Sequence, residues 1–311
     1  MAQIVIPDDE PLVVTVSAAY ARLNGMDVRA YSSRPSNQAE LVERIRDAEF
    51  VINVRARTPF TRGVLQACPR LKLVSIWGTG TDNVDLAAAR DLGIRVSNTP
   101  GVSAGAVAEH ALTLMLALAR QIVQIDRQVR NGQWPRAMVS QTSGKTLGLI
   151  GTGAIGREMA RLGKGIGCRV IGWTFHPRGD VAEWVQFDDV FRQSDFVSIH
   201  VRQSPETVGM IRREHFMMMK RNAILINTAR GAIVDEAALL EALQTGQIAG
   251  AGLDVFEEEP LPANSPFFSL PNVILTPHSA GTTPETTEAG IALAIDNIFR
   301  FIAGAAANIV V

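Results

Sequence analysis

The chain has 311 residues, about twice the usual length of one domain, so two domains are expected. Apolar residues make up 47% and charged residues 20%, which excludes a disordered chain. Lys+Arg 30 against Asp+Glu 31 leaves a net charge of -1, which offers no electrostatic hold on nucleic acid or an anionic membrane. Cys68 and Cys168 are too few for a disulfide framework or a multi-cysteine zinc site, and they fit a reducing cytosol. The start of the chain lacks a basic stretch and turns acidic by Asp8, unlike a signal peptide. No apolar run reaches the roughly 18–20 residues of a membrane span. A cytoplasmic protein is expected.

Residues 4–6, 50–54, 73–76 and 94–96 read as buried β-branched strands, and residues 16–24 and 37–48 carry apolar side chains at helical spacing. Such alternation means crossover helices on a parallel sheet. Thr99-Pro100-Gly101 breaks the pattern, and a long apolar helix is expected over residues 105–121. After a polar stretch, a second set of strands is predicted at 146–150, 169–173, 196–200, 223–227, 251–255 and 273–275. Between them, Asp235 reads as an N-cap and Gly246 as a helix stop. Six strands with crossovers make a complete doubly wound sheet. A last amphipathic helix, at 285–303, has no place in that sheet and is expected to return to the first domain. The expected class is therefore α/β: a dinucleotide-binding Rossmann domain at 101–283, and a smaller discontinuous flavodoxin-like domain at 1–100 plus 284–311.

Gly151-Thr152-Gly153-Ala154-Ile155-Gly156 follows one of these strands directly and opens a helix. A glycine pattern alone is common, but in this setting it reads as a dinucleotide fingerprint. Gly151 makes the turn, Gly153 admits a diphosphate, Gly156 lets helix and strand pack, and the helix start offers free N–H groups. The competing reading is a glycine-rich turn without a ligand. Near the end of the next strand, where an acid usually holds the ribose 2′-hydroxyl, stands Thr174 in Trp173-Thr174-Phe175-His176-Pro177-Arg178. Without that carboxylate a 2′-phosphate is not repelled, and Arg178 could bind it, so NAD or NADP is allowed. Arg178 as a solvated surface charge is the alternative.

Arg230, Glu259 and His278 follow three other strands, at the carboxyl ends where open α/β sheets bind ligands. His110, His176, His200 and His215 form no ligand-spaced cluster, so no metal is expected.

The motifs Gly151–Gly156, Asn227-Thr228-Ala229-Arg230-Gly231, Gly252-Leu253-Asp254-Val255-Phe256-Glu257-Glu258-Glu259-Pro260 and Thr276-Pro277-His278-Ser279-Ala280-Gly281, in this order, resemble the D-isomer-specific 2-hydroxyacid dehydrogenase family. The likeness extends over essentially the whole chain, including Trp77-Gly78-Thr79-Gly80, Asn98-Thr99-Pro100-Gly101 and Val107-Ala108-Glu109-His110. It implies an oxidoreductase passing hydride between NAD or NADP and a small 2-keto or D-2-hydroxy acid, of the glyoxylate or hydroxypyruvate reductase kind. The active site would lie in the cleft between the domains, and the enzyme would be a homodimer.

By that resemblance Arg230 grips the substrate's carboxylate and keto oxygen, and His278 is the general acid/base. Glu259, with Glu258 as its competitor, orients the His278 ring. Asp254 holds the nicotinamide carboxamide. Thr228, Ala229 and Gly281 join the glycine loop around the coenzyme. The amides of Thr79 and Gly80, with Arg55, close on the substrate carboxylate. Two features depart from the family pattern: Arg202 stands where a proline often faces adenine, and Trp77 puts a bulky aromatic beside the expected substrate loop, which would favour small substrates. A formate dehydrogenase is disfavoured, because that pattern has Gln where this chain has Glu259. A second alternative is a nucleotide-sensing scaffold of the C-terminal binding protein corepressor type, which keeps Arg, Glu and His.

Overall fold

The structure, a computed structural model, describes residues 3–54 and 58–311. The chain divides into two compact units, Met1–Ser103 with Thr282–Val311, and Ala104–Gly281.

The first unit is a five-stranded parallel sheet of β1 (Gln3–Ile6), β2 (Asp27–Ala30), β3 (Phe50–Val54), β4 (Leu73–Trp77) and β5 (Arg95–Ser97). Its order, β2-β1-β3-β4-β5, is the flavodoxin-like one. Strands β3 and β4 are buried on both faces, which is why they read as unbroken apolar runs. One face is covered by α1 (Gln38–Ile45), α2 (Arg62–Gln66) and α3 (Leu86–Asp91), whose Leu41, Ile45, Val64, Leu65 and Ala88 pack on Val51, Val74 and Ile76. The other face is covered by the terminal helix α10 (Pro284–Ile302), whose Ile291, Ala294, Ile295 and Ile298 pack on Ile4, Ile52 and Leu73. Thr283 caps α10 and Pro284 opens it, two start signals in a row. Beyond α10 the tail runs antiparallel to β5, pairing Ile309 with Ser97.

Strand β2 was not expected from the sequence. It is an edge strand whose residues are half-buried at most, so it lacks the apolar run that marks β3 and β4. Residues 16–24 form a shorter 3-10 helix, Ala18–Leu23, capped by Ser17. The Trp77 side chain is 7% exposed and lies in the α10-side core, against Gly290, so it helps to fill that core.

The second unit begins with α4 (Ala104–Ala119) and α5 (Ile122–Arg130). Its seven-stranded parallel sheet is built from β6 (Thr146–Ile150), β7 (Arg169–Trp173), β8 (Glu183–Trp184), β9 (Phe196–Ile199), β10 (Ile224–Asn227), β11 (Gly250–Leu253) and β12 (Val273–Leu275). The order β12-β11-β10-β9-β6-β7-β8 is doubly wound, reversing direction between β6 and β9. Helices α4 and α6 (Ala154–Gly165) pack on one face through Ala108, Leu114, Met115 and Met159. On the other face lie α7 (Phe187–Gln193), α8 (Arg213–Met218) and α9 (Glu236–Gln244). Asp235 caps α9, and Gly246, at φ 68°, follows its end. The two-residue β8 was missed for the same reason as β2: a half-exposed edge carries no apolar signal. Among the described residues, no single helix is long and apolar enough to cross a membrane.

Candidate active site

The carboxyl edge of the second sheet carries nearly every candidate residue of that unit. Gly151 follows β6, Thr174 follows β7, His200 follows β9, Thr228 follows β10, Asp254 follows β11 and Thr276 follows β12. Parallel strands all deliver their carboxyl ends to the same edge, so residues far apart in the chain become neighbours there.

The glycine loop is held open by backbone packing. Gly151 adopts φ 95°, and a β-carbon on it would come within 2.7 Å of the backbone of His200 and Val201. Gly156 faces the Gly151 carbonyl so closely that a β-carbon could not fit. Gly153, the N-cap of α6, has open space where a β-carbon would be and no side chain capping the helix. The first-turn amides of Ala154, Ile155 and Gly156 thus lie at the positive end of a helix that its N-cap side chain leaves uncapped. That cradle fits the diphosphate of a dinucleotide. His200, which backs the loop, is half-buried, with its Nδ1 out of reach of solvent. Burial pushes its imidazole down to about 4, so it stays neutral. Its Nε2 lies 2.9 Å from Ser198 Oγ.

At the adenosine side, Trp173 stacks edge-on with Phe175 and Phe187. Thr174 is half-buried, while Arg178 and Arg202 are exposed. Neither arginine pairs with an acidic side chain among the described residues.

The candidate reactive groups lie in the segments that follow the neighbouring strands β10, β11 and β12. His278 Nδ1 is 2.7 Å from Glu259 Oε2, while Glu259 Oε1 accepts the Phe256 N–H at 3.0 Å. Among the described residues, Glu258 makes no such contact. Burial alone would raise the Glu259 carboxyl, but the bonds from His278 and Phe256 and the nearby charges of His278 and Arg230 outweigh it and hold the group below its ordinary value. An ionised carboxylate only accepts, so the His278 proton at this contact belongs to Nδ1, leaving Nε2 to face a reactant. Arg230 is half-buried and donates from Nη1 to the Ala229 carbonyl at 2.8 Å, while the Asn227 amide donates to the Arg230 carbonyl at 2.9 Å. Thr228 Oγ1, just past the end of β10, is buried with no hydrogen-bond partner among the described residues.

Asp254 is fully buried and gathers the loop that carries His278. Its carboxylate accepts the Ser279 and Ala280 N–H groups, each at 2.9 Å, and its carbonyl accepts the His278 N–H at 2.8 Å. Thr276 Oγ1 lies 2.5 Å from Asp254 Oδ1 and 3.0 Å from His110 Nε2. By sequence His110 is one of four histidines that form no ligand-spaced cluster, and it carries no role there. The missed signal was a titratable side chain inside an otherwise apolar stretch.

In the first unit, Gly78 donates its N–H to Thr99 Oγ1 at 2.8 Å, and Asn98 holds the Thr79 carbonyl at 2.8 Å. The N–H groups of Thr79 and Gly80 have no partner among the described residues. Arg55, expected to face the substrate carboxylate, lies outside the described residues.

A diphosphate cradle on a doubly wound sheet, with an imidazole–carboxylate pair three and four strands away on the same edge, defines a nicotinamide-dependent oxidoreductase. Residues 112–280 match the family model of the D-isomer specific 2-hydroxyacid dehydrogenase NAD binding domain. A glyoxylate reductase of Korarchaeum cryptofilum is 40% identical over 281 residues, spanning 87% of this chain and 84% of that protein. A glycerate dehydrogenase of Methylorubrum extorquens is 40% identical over 283 residues, spanning 87% and 88%. Among solved structures, an acyclic imino acid reductase in complex with NADPH and D-Arg superposes with a TM-score of 0.93 at 30% identity, covering 99% of this chain and 100% of that one. The chain belongs to the D-isomer specific 2-hydroxyacid dehydrogenase family. It is an NAD(P)-dependent D-2-hydroxyacid dehydrogenase, and the enzyme reading prevails over the sensing scaffold.

Proposed function

We propose that the protein reduces small 2-keto acids of the glyoxylate and hydroxypyruvate kind to D-2-hydroxy acids, with His278 as the proton donor. The observation that carries this reading is the 2.7 Å contact between His278 and Glu259, with Arg230 close enough to bear on the same carboxylate. The names of the relatives at about 40% identity support the substrate class.

When bound, the reduced nicotinamide supplies the hydride to the carbonyl carbon. Arg230, a planar fork of donors, would bind the keto acid and polarise its carbonyl. His278 Nε2 would deliver the proton to the carbonyl oxygen and take it back in the reverse direction, while Glu259 keeps the ring's other proton on Nδ1. The open amides of Thr79 and Gly80 are donors of the kind that bind a carboxylate, and we assign them to that role. Gly151, Gly153, Ala154, Ile155 and Gly156 are assigned to the coenzyme diphosphate, and Thr228, Ala229, Asp254 and Gly281 to its nicotinamide end. The lack of an acid at Thr174 and the charge of Arg178, which pairs with no acidic side chain among the described residues, favour NADPH over NADH.

A homodimer completes the reading. Helix α5 buries none of its residues, and Ile122, Val123, Trp134 and Met138 are all exposed, Trp134 to 81% and Met138 to 95%. So much apolar surface on one segment suits a second copy of the chain. Cys68 and Cys168 are both buried as free thiols, in keeping with a cytoplasmic protein.

The test is absorbance at 340 nm with glyoxylate, hydroxypyruvate, pyruvate and phenylpyruvate, each with NADH and NADPH. Fast turnover of the first two with NADPH is expected. Turnover confined to phenylpyruvate, or to none of the four, overturns the reading.

A further inference from the structure

We propose that His110 is a positioning residue for this reaction, acting through Thr276 on Asp254 and so on the loop that carries His278; the inference rests on the acid/base role given to His278. His110 belongs to α4, far along the chain from the segments that hold Arg230, Glu259 and His278. Its Nε2 lies 3.0 Å from Thr276 Oγ1 and 3.6 Å from Asp254 Oδ1.

Hydrogen-bond accounting fixes the direction of this chain of contacts. Both carboxylate oxygens of Asp254 already accept backbone N–H groups, Oδ1 from Ser279 and Oδ2 from Ala280. Asp254 is therefore an acceptor, and the single hydroxyl proton of Thr276 goes to it across 2.5 Å. The Thr276 oxygen can then only accept from the imidazole, which places a proton on His110 Nε2. His110 thereby sets the rotamer of Thr276, and Thr276 sets the carboxylate plane of Asp254.

That plane matters because the reactive histidine hangs from it. His278 stands at φ 54°, a left-handed conformation for a residue with a side chain. Its N–H is held by the Asp254 carbonyl at 2.8 Å and the Thr276 carbonyl at 3.1 Å, and the next two N–H groups are held by the Asp254 carboxylate. The fully buried Asp254 cannot recruit bulk water to replace a lost donor. Loss of His110 thus frees Thr276 to turn, tilts the carboxylate and displaces the imidazole from its line of proton transfer. A fraction of an ångström there lowers the rate of the chemical step without removing any group that binds the keto acid.

The experiment compares His110→Leu, His110→Gln, Thr276→Val and the Leu–Val double variant with wild type. Measured are kcat and KM for the best keto acid, the Kd of NADPH by fluorescence titration, and thermal melting without coenzyme. His110→Leu is expected to lower kcat about tenfold or more with KM and Kd changed less than threefold, and His110→Gln, which keeps an N–H donor, to recover most of the rate. The double variant is expected to be no slower than Thr276→Val alone. In 15N spectra of the protein without coenzyme, His110 is expected as the Nε2–H tautomer. Wild-type kcat in His110→Leu, equal losses in the Leu and Gln variants, additive losses in the double variant, or an Nδ1–H tautomer each overturns the proposal. Should His110→Leu fail to fold, Thr276→Val decides: kcat within twofold of wild type overturns it. His278→Asn, run alongside, loses turnover whichever way His110 falls, so failure of this inference is distinct from failure of the acid/base assignment.

Discussion

Gly231 lies flat against the backbone of Phe256, so close that a β-carbon would overlap the Phe256 carbonyl and the Glu257 nitrogen. This approach lets the loop after β10, with Arg230, settle onto the segment that leads to Glu259. The colliding atoms are backbone and cannot swing aside. Gly231→Ala is expected to cost about 1–3 kcal/mol, the range for overpacked sites, and to lower keto-acid turnover as the two loops part. Urea unfolding and kcat/KM measured on the same preparation check it; an unchanged urea midpoint speaks against so close an approach.

The Glu259–His278 pair makes a pH prediction. The Glu259 carboxyl is held below its ordinary value of 4.5, so the folded protein resists its protonation more than the unfolded chain does. The stability it contributes is complete above that ordinary value and is lost as pH falls through the lower, folded-state value. Wild type should therefore lose stability faster than Glu259→Gln as pH drops from 5 towards 3. At neutral pH the amide no longer specifies an Nδ1 proton, and kcat should fall by about 10²-fold or more. Parallel slopes of urea midpoint against pH would remove Glu259 from this role.

Coenzyme choice is expected to depend on Arg178. Arg178→Ala should weaken NADPH binding by about tenfold, one charge-assisted contact, and leave NADH nearly unaffected. Equilibrium titration of both coenzymes decides; equal losses return Arg178 to the role of a surface charge.

Assembly is expected to depend on the exposed segment after α5. Trp134→Asp combined with Met138→Asp should turn a dimer into a monomer in sedimentation velocity at micromolar concentration. A wild-type monomer under the same conditions would sink the homodimer.

The sequence made the second sheet legible because most of its strands are buried on both faces and its candidate site residues stand after strand ends. Gly151, Arg230 and His278 could be marked by such local context alone. Edge strands β2 and β8 were invisible because half-exposed residues carry no apolar run. Glu259 could not be separated from Glu258 by pattern, since the difference is only which carboxylate reaches a ring 19 residues away. That Trp77 packs against Gly290 had no local sign, since which face of β4 meets α10 is a matter of packing over more than 200 residues of chain. The His110–Thr276–Asp254 contacts join a helix to two strand ends and have no signature along the chain.

The left-handed backbone at His278 bears on how any mutant of that residue should be interpreted. Alanine tolerates such a conformation poorly, whereas asparagine adopts it readily. A dead alanine variant would therefore confound a vanished proton donor with a relaxed main chain. Asparagine, which preserves the bend while discarding the imidazole, is the cleaner instrument for dissecting chemistry from architecture.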